Sequence, residues 1–106
     1  MTPKVKKELN KLLNKYKGDI FDNNGLDWHF ISCKKISENF IREFKEKVDW
    51  MNISMYQSLS HSFIKEFKDK LWIKTMMRQK RISRKFYNEL KETIVVTRFQ
   101  LLDFNP

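Results

Sequence analysis

The hydrophobic positions of this chain recur with two periods at once. In the segment SHSFIKEFKDKL, Phe63, Ile64, Phe67 and Leu71 fall at i, i+1, i+4 and i+8, which gathers them on one stripe of an α-helix and turns Lys65, Glu66, Lys68 and Asp69 towards water. The same stripe returns as Phe40, Ile41, Phe44 and Val48 in ISENFIREFKEKV, and as Phe86, Tyr87, Leu90 and Ile94 in ISRKFYNELKETI. These segments start at Ile36, Leu59 and Ile82, so the longer period is 23 residues. Ser37, Ser60 and Ser83 precede the stripes where an N-cap belongs, because a serine hydroxyl can accept a hydrogen bond from a free N–H of the first turn. Three equivalent amphipathic helices are predicted, each of about 11 residues and roughly 16 Å.

The intervening segments DWHFISCKK, DWMNISMYQS and LWIKTMMRQKR carry a tryptophan followed three residues on by an apolar or β-branched residue. Helical spacing pairs Trp28 with Ile31, Trp50 with Ile53 and Trp72 with Thr75 on one face, and Asp27 and Asp49 can cap the first two. Each repeat then consists of a short helix A and a longer helix B. Neither hides its stripe alone, so stacking successive pairs is the simple route to a continuous core. The expected fold is all-α: one domain over residues 1–106, built as a small α-solenoid-like stack of three 23-residue two-helix repeats within 27–94. An N-terminal capping helix is expected over 1–18, with Thr2 at the N-cap, Pro3 at the first helical position, Gly18 just past the end, and Val5, Leu9, Leu12, Leu13 and Tyr16 on the inner face. Residues 19–25, DIFDNNG, read as a loop. A C-terminal cap is expected over 95–106, with 93–102 read as helix and a strand as the alternative.

The run from Asp27 to Lys70 resembles the tandem W-x-x-I-S and L-S-x-x-F-I-x-E-F-K repeats of uncharacterised proteins of phages, large DNA viruses and AT-rich bacteria. The match spans roughly 28 to 94. It is clear in the first two copies and departs in the third, where WIKTMM and FYNEL replace the two elements. The resemblance implies a viral or mobile-element origin and no particular activity or cofactor.

Little in the sequence looks like reaction chemistry. Cys33 is the only cysteine and reads as a small apolar residue near the core. His29 and His61 are far apart and neither stands at a ligand spacing from Cys, Asp or Glu, so no metal site is expected. Glu43, Glu66 and Glu89 recur in register, each with a lysine two residues on, which fits a charged face or ion pairs between repeats better than paired catalytic carboxylates. The two isolated glycines cannot form a phosphate-binding loop. A non-enzymatic protein without a cofactor is expected. The basic N-terminal segment lacks a continuous apolar stretch and no run reaches the roughly 18 to 20 apolar residues of a membrane span, so a cytoplasmic location is expected, within an infected host cell if the origin is viral.

Charge is the remaining functional signal. The net charge of +9 is uneven: Lys and Arg outnumber Asp and Glu by five in residues 1–18 and again by five in 72–94, around a nearly neutral middle. In the third repeat Lys80, Arg81, Arg84 and Lys85 surround the start of helix B, with Lys74 and Arg78 on the preceding helix A. The matching positions hold Lys34, Lys35, Glu38 and Asn39 in the first repeat and Gln57, Ser58, His61 and Ser62 in the second. A rim that changes while the packing positions stay is free of packing demands. Its cations and the N–H groups of a helix start suit phosphates, so nucleic acid or a nucleoprotein is the expected partner, with Lys4, Lys6, Lys7 and Lys11 joining in. The alternative is a protein-interaction module, such as a small phage inhibitor of a host defence enzyme, using the Trp and Phe positions.

Overall fold

Thr2 opens the first helix as its sequence requires: the hydroxyl accepts from the Val5 N–H at 3.2 Å, and Pro3, which has no N–H to leave unpaired, takes the first helical position. Helix α1 (Pro3–Tyr16) buries Val5 and Leu12. The computed structural model of the protein describes residues 1–91, and among these it is mostly helical. After α1 come a short 3₁₀ turn (Lys17–Ile20), a small hairpin of β1 (Phe21–Asp22) and β2 (Gly25–Leu26), and six further helices. These are α2 (Trp28–Ser32), α3 (Glu38–Glu43), α4 (Trp50–Tyr56), α5 (His61–Glu66), α6 (Ile73–Arg78) and α7 (Arg84–Lys91). The expectations for Ile94, for 93–102 and for a cap over 95–106 lie outside the described residues.

Residues 19–25 are more ordered than a loop. Phe21 pairs with Leu26 and Asp22 with Gly25, the Asp22 carboxylate accepts from the Asn24 N–H at 2.7 Å, and Gly25 takes a φ of 115°. The end of α1 also differs from expectation. Lys17, at φ 47° and ψ −122°, caps the helix in a positive-φ conformation, and Gly18 falls within the 3₁₀ turn that follows.

The N-caps predicted for helices A and B are present: Asp27, Ser37, Asp49, Ser60 and Ser83 each accept the N–H three residues on, at 3.0–3.2 Å. The first two B helices are shorter than expected, six residues each. Phe44 and Phe67 leave helical geometry, and a separate turn follows, in which Lys47 and Val48 both donate to the Phe44 carbonyl and Lys70 and Leu71 to that of Phe67. The turn returns Val48 and Leu71 to the core, so the apolar stripe survives although the helix does not. The Trp50 indole N–H takes up the Lys45 carbonyl within the first of these turns at 3.0 Å.

Tryptophan fixes how A sits on B. Trp28 lies 4.9 Å from Phe44 and 6.4 Å from Phe40, and Trp50 lies 5.1 Å from Phe67 and 6.4 Å from Phe63. Neighbouring helices then pack α1 on α3, α2 on α4, α4 on α6 and α6 on α7. The buried serine of the W-x-x-I-S element joins the A helices. Ser32 donates its hydroxyl to the Trp28 carbonyl at 2.6 Å and accepts the Asp49 N–H at 2.9 Å, and Ser54 does the same with the Trp50 carbonyl and the Trp72 N–H at 2.7 and 2.9 Å.

That last bond corrects the register of the third repeat. Trp72 occupies the place of Asp49, ahead of the helix, and Ile73 takes the place of Trp50. The buried face of α6 is therefore Ile73 and Met76, not Trp72 and Thr75, which are only half-buried. Trp72 has no side-chain oxygen, and the start of α6 has no side-chain cap. Cys33, expected near the core, is exposed, its thiol directed at the His29 carbonyl at 3.3 Å.

Candidate nucleic-acid interface

Each B helix presents its capping serine in the same way, and what lies against that serine decides the chemistry. Ser37 donates its backbone N–H and its hydroxyl to the two oxygens of Glu8, at 2.7 and 2.6 Å. Ser60 donates the same two groups to Glu38, at 2.6 and 3.0 Å. A carboxylate from an earlier helix thus straddles the start of a later one, where the N–H groups and the helix dipole favour negative charge.

At Ser83 the arrangement changes. The residue in the place of Glu38 is His61, whose ring stacks on Phe86 with centroids 3.9 Å apart and planes 13° apart. Beside it lies a groove of about 590 Å³ lined by His61, Met77, Lys80, Arg81, Ile82, Ser83 and Arg84. Three of the six cations singled out in the sequence line this groove. Lys80 stands exposed at φ 60°, Arg84 opens α7, and Arg81 is anchored through its guanidinium to the Gln57 carbonyl at 3.2 Å. The other three are not brought to it. Lys74 is half-buried on α6, Arg78 ends α6 with a hydrogen bond to the Thr75 hydroxyl at 3.3 Å, and Lys85 is exposed one residue into α7.

Sequence reasoning missed His61 and Ser83 as parts of this edge. His61 is the counterpart of Glu38 in the repeat, but the Glu38–Ser60 link spans 22 residues and has no spacing signature.

A second groove, of about 570 Å³, lies between the hairpin and the first repeat and is lined by Asp22, Trp28, His29, Phe44 and Lys47 among others. His29 hydrogen-bonds the Asp49 carboxylate, which raises the imidazole above its ordinary value, with Asp27 and Asp22 adding to the effect. Partial desolvation raises the Cys33 thiol, which disfavours the thiolate that a nucleophile or soft-metal ligand needs. Among the described residues no group of three or more His, Cys, Asp or Glu side chains could hold a metal ion, and no helix is long and apolar enough to cross a membrane. Of the recurring glutamates, Glu66 pairs with Arg42 of the preceding repeat at 3.0 Å.

Comparison with protein-family models, curated proteins and solved structures found no match. The resemblance to short tandem repeats rests on the residues quoted for it.

Proposed function

We propose that the chain is a short solenoid-like stack of three repeats that works as a non-enzymatic binding module, taking phosphates of a nucleic acid at the basic edge of its third repeat. The observation that carries this reading is the substitution at one recurring position. Ser37 and Ser60 hold glutamate carboxylates, whereas the groove at Ser83 is edged by Lys80, Arg81 and Arg84 and has His61 where a carboxylate would stand. A phosphodiester offers two oxygens in much the spread of a carboxylate, and so suits the serine N–H and hydroxyl, while the three cations neutralise its charge and release counterions. His61 adds a flat ring at the same groove.

The test is titration of a labelled single-stranded oligonucleotide at several salt concentrations. Changing Lys80, Arg81, Arg84 and Lys85 together to Ser is expected to leave helicity intact, to weaken binding, and to flatten the logarithmic salt slope by about 3 units if all four cations meet phosphates. Lys65, Lys68 and Lys70 of the neutral second repeat, changed in the same way, form the control. Equal losses from both sets, or none from either, would overturn the assignment.

An acidic segment of a partner protein is a second reading, because the equivalent seats in the first two repeats are filled by glutamate side chains. Pull-down from host lysate with and without nuclease separates the two, since a protein partner survives the nuclease.

A further inference from the structure

We infer that the outer face of α1 is a second, separate surface for a nucleic-acid backbone, formed by Lys4, Lys7, Lys11 and Lys15. This rests on the nucleic-acid reading of the third repeat and extends it to the other end of the molecule. Spaced at i, i+3, i+7 and i+11, the four lysines fall within an arc of about 80° and run for about 16 Å along the helix. All four are exposed, and the apolar side of the same helix, with Val5, Leu9, Leu12, Leu13 and Tyr16, is turned into the core. Lys6, included with these lysines on sequence grounds, falls outside the arc.

Two observations point to an anionic occupant from outside the chain. Among the described residues no carboxylate forms an ion pair with any of the four lysines, and the one acid of α1, Glu8, is committed to Ser37. The first turn of α1 also contains no acid, although the helix dipole favours acids there and opposes Lys4. Lys4 thus stands against the electrostatic preference of its own helix while Lys15, in the last turn, follows it, and a polyanion lying along the stripe would offset the cost at Lys4. Over 16 Å of duplex axis one strand presents about five phosphates, close to the number of cations. A membrane surface fits less well. An interfacial helix needs a free apolar side to bury among lipids, and that side of α1 is occupied by the protein core.

The two surfaces lie at opposite ends of the row formed by the two carboxylate–serine contacts and the His61–Phe86 stack, which runs from α1 through α3 and α5 to α7. A ligand long enough to touch both would follow the row.

The experiment titrates full-length chain with a labelled 20-nucleotide single strand and the matching duplex over a salt series, using K4Q/K7Q/K11Q/K15Q, the third-repeat Ser variant described above, and both combined. Circular dichroism and thermal melting are read for each, and the quadruple Lys→Arg variant of the stripe serves as rescue. The α1 Gln variant is expected to keep its helicity, to lose affinity about tenfold or more near 0.15 M salt, and to flatten the slope by about 3 units on a single strand, with full recovery by Arg. The combined variant is expected to lose nearly all salt-dependent binding. Wild-type slope in the α1 variant overturns this inference while leaving the third-repeat reading to its own variant. Loss in the α1 variant with none in the third-repeat variant does the opposite. Preferential binding of the wild type to vesicles containing phosphatidylserine, abolished in the α1 Gln variant, would overturn the inference in favour of a membrane surface. A loss of helicity or of melting temperature in the Gln variant that Arg does not recover would make the lysines structural, and overturns it too.

Discussion

The second and third repeats can be laid over one another residue for residue. Where the second has Trp50, Ile53, Phe63 and Phe67 around its core, the third has Ile73, Met76, Phe86 and Leu90, all buried. Where the second has Ser54 inside, Gln57 spanning to the Ser32 and Lys34 carbonyls at 2.9 and 2.6 Å, and Glu38 on its cap, the third has Met77, the outward Lys80 and His61. Apolar positions thus stay apolar between them, while the serine, glutamine and glutamate joints of the second are not repeated in the third. Burial is non-directional and tolerates exchange of one large side chain for another, whereas a hydrogen-bonded joint fails as soon as one partner changes. The edge at Ser83, where His61 stands in place of a carboxylate, is where the cations gather.

The largest expected break in this comparison is at the aromatic centre. Phe63→Ala should cost about 3 to 5 kcal/mol in urea unfolding, since Phe63 is fully buried between Trp50 and Phe67. Phe86→Ala should cost less, about 2 to 3 kcal/mol, because one side of its ring is covered by the exposed His61 and the site can collapse. Equal costs would mean that the third repeat is as tightly built as the second.

Next in size is the serine joint. Ser54→Ala removes the acceptor for the Trp72 N–H at a fully buried site and should cost about 1 to 3 kcal/mol, with Ser32→Ala similar through Asp49. Chemical denaturation measures both. A cost near zero would show that α6 is positioned by packing alone.

These two sites also show what the sequence revealed. The aromatic stripes, the serine and aspartate caps and the 23-residue period were legible because each is a local pattern with a local physical cause. The Glu8–Ser37 and Glu38–Ser60 links were not, since they join residues 29 and 22 apart and depend on how helices lie side by side. The third-repeat register was misread for a related reason. A tryptophan looks like the anchor in any copy, but here the backbone N–H that meets Ser54 belongs to Trp72, which puts its ring one place too early to fill the core. Of the six cations singled out in the sequence, three line the groove at Ser83, and the histidine and serine beside them required the fold.

A reciprocal exchange sharpens the comparison at the caps. His61→Glu should give the third repeat the link that the others have, raising stability by about 0.5 to 1 kcal/mol and lowering oligonucleotide affinity by placing a carboxylate against Ser83. Glu38→His should lose about 1 kcal/mol at Ser60. Thermal melting and the oligonucleotide titration report both; unchanged affinity in the His61→Glu chain would separate the groove from the binding surface.

The smallest effect is a dependence on pH at the His29–Asp49 contact between the first two repeats. His29 is raised by its bond to Asp49, so its contribution is complete below the ordinary histidine value near 6.5 and is lost as pH rises through the higher folded value. With the imidazole 79% exposed, the change should stay under about 0.5 kcal/mol. Melting temperature followed from pH 5 to 9 in the wild type and in His29→Asn measures it, and a wild-type profile as flat as that of the variant would remove the contribution.

The cap links also give the row a direction. Each couples a side chain of an earlier helix to the first residues of a later one, so a unit can lean on its predecessor without being able to support a successor. Duplication of the first copy would hand on a working Glu38, and an inserted copy would find a carboxylate waiting. Duplication of the second would hand on His61, which has no carboxylate to offer.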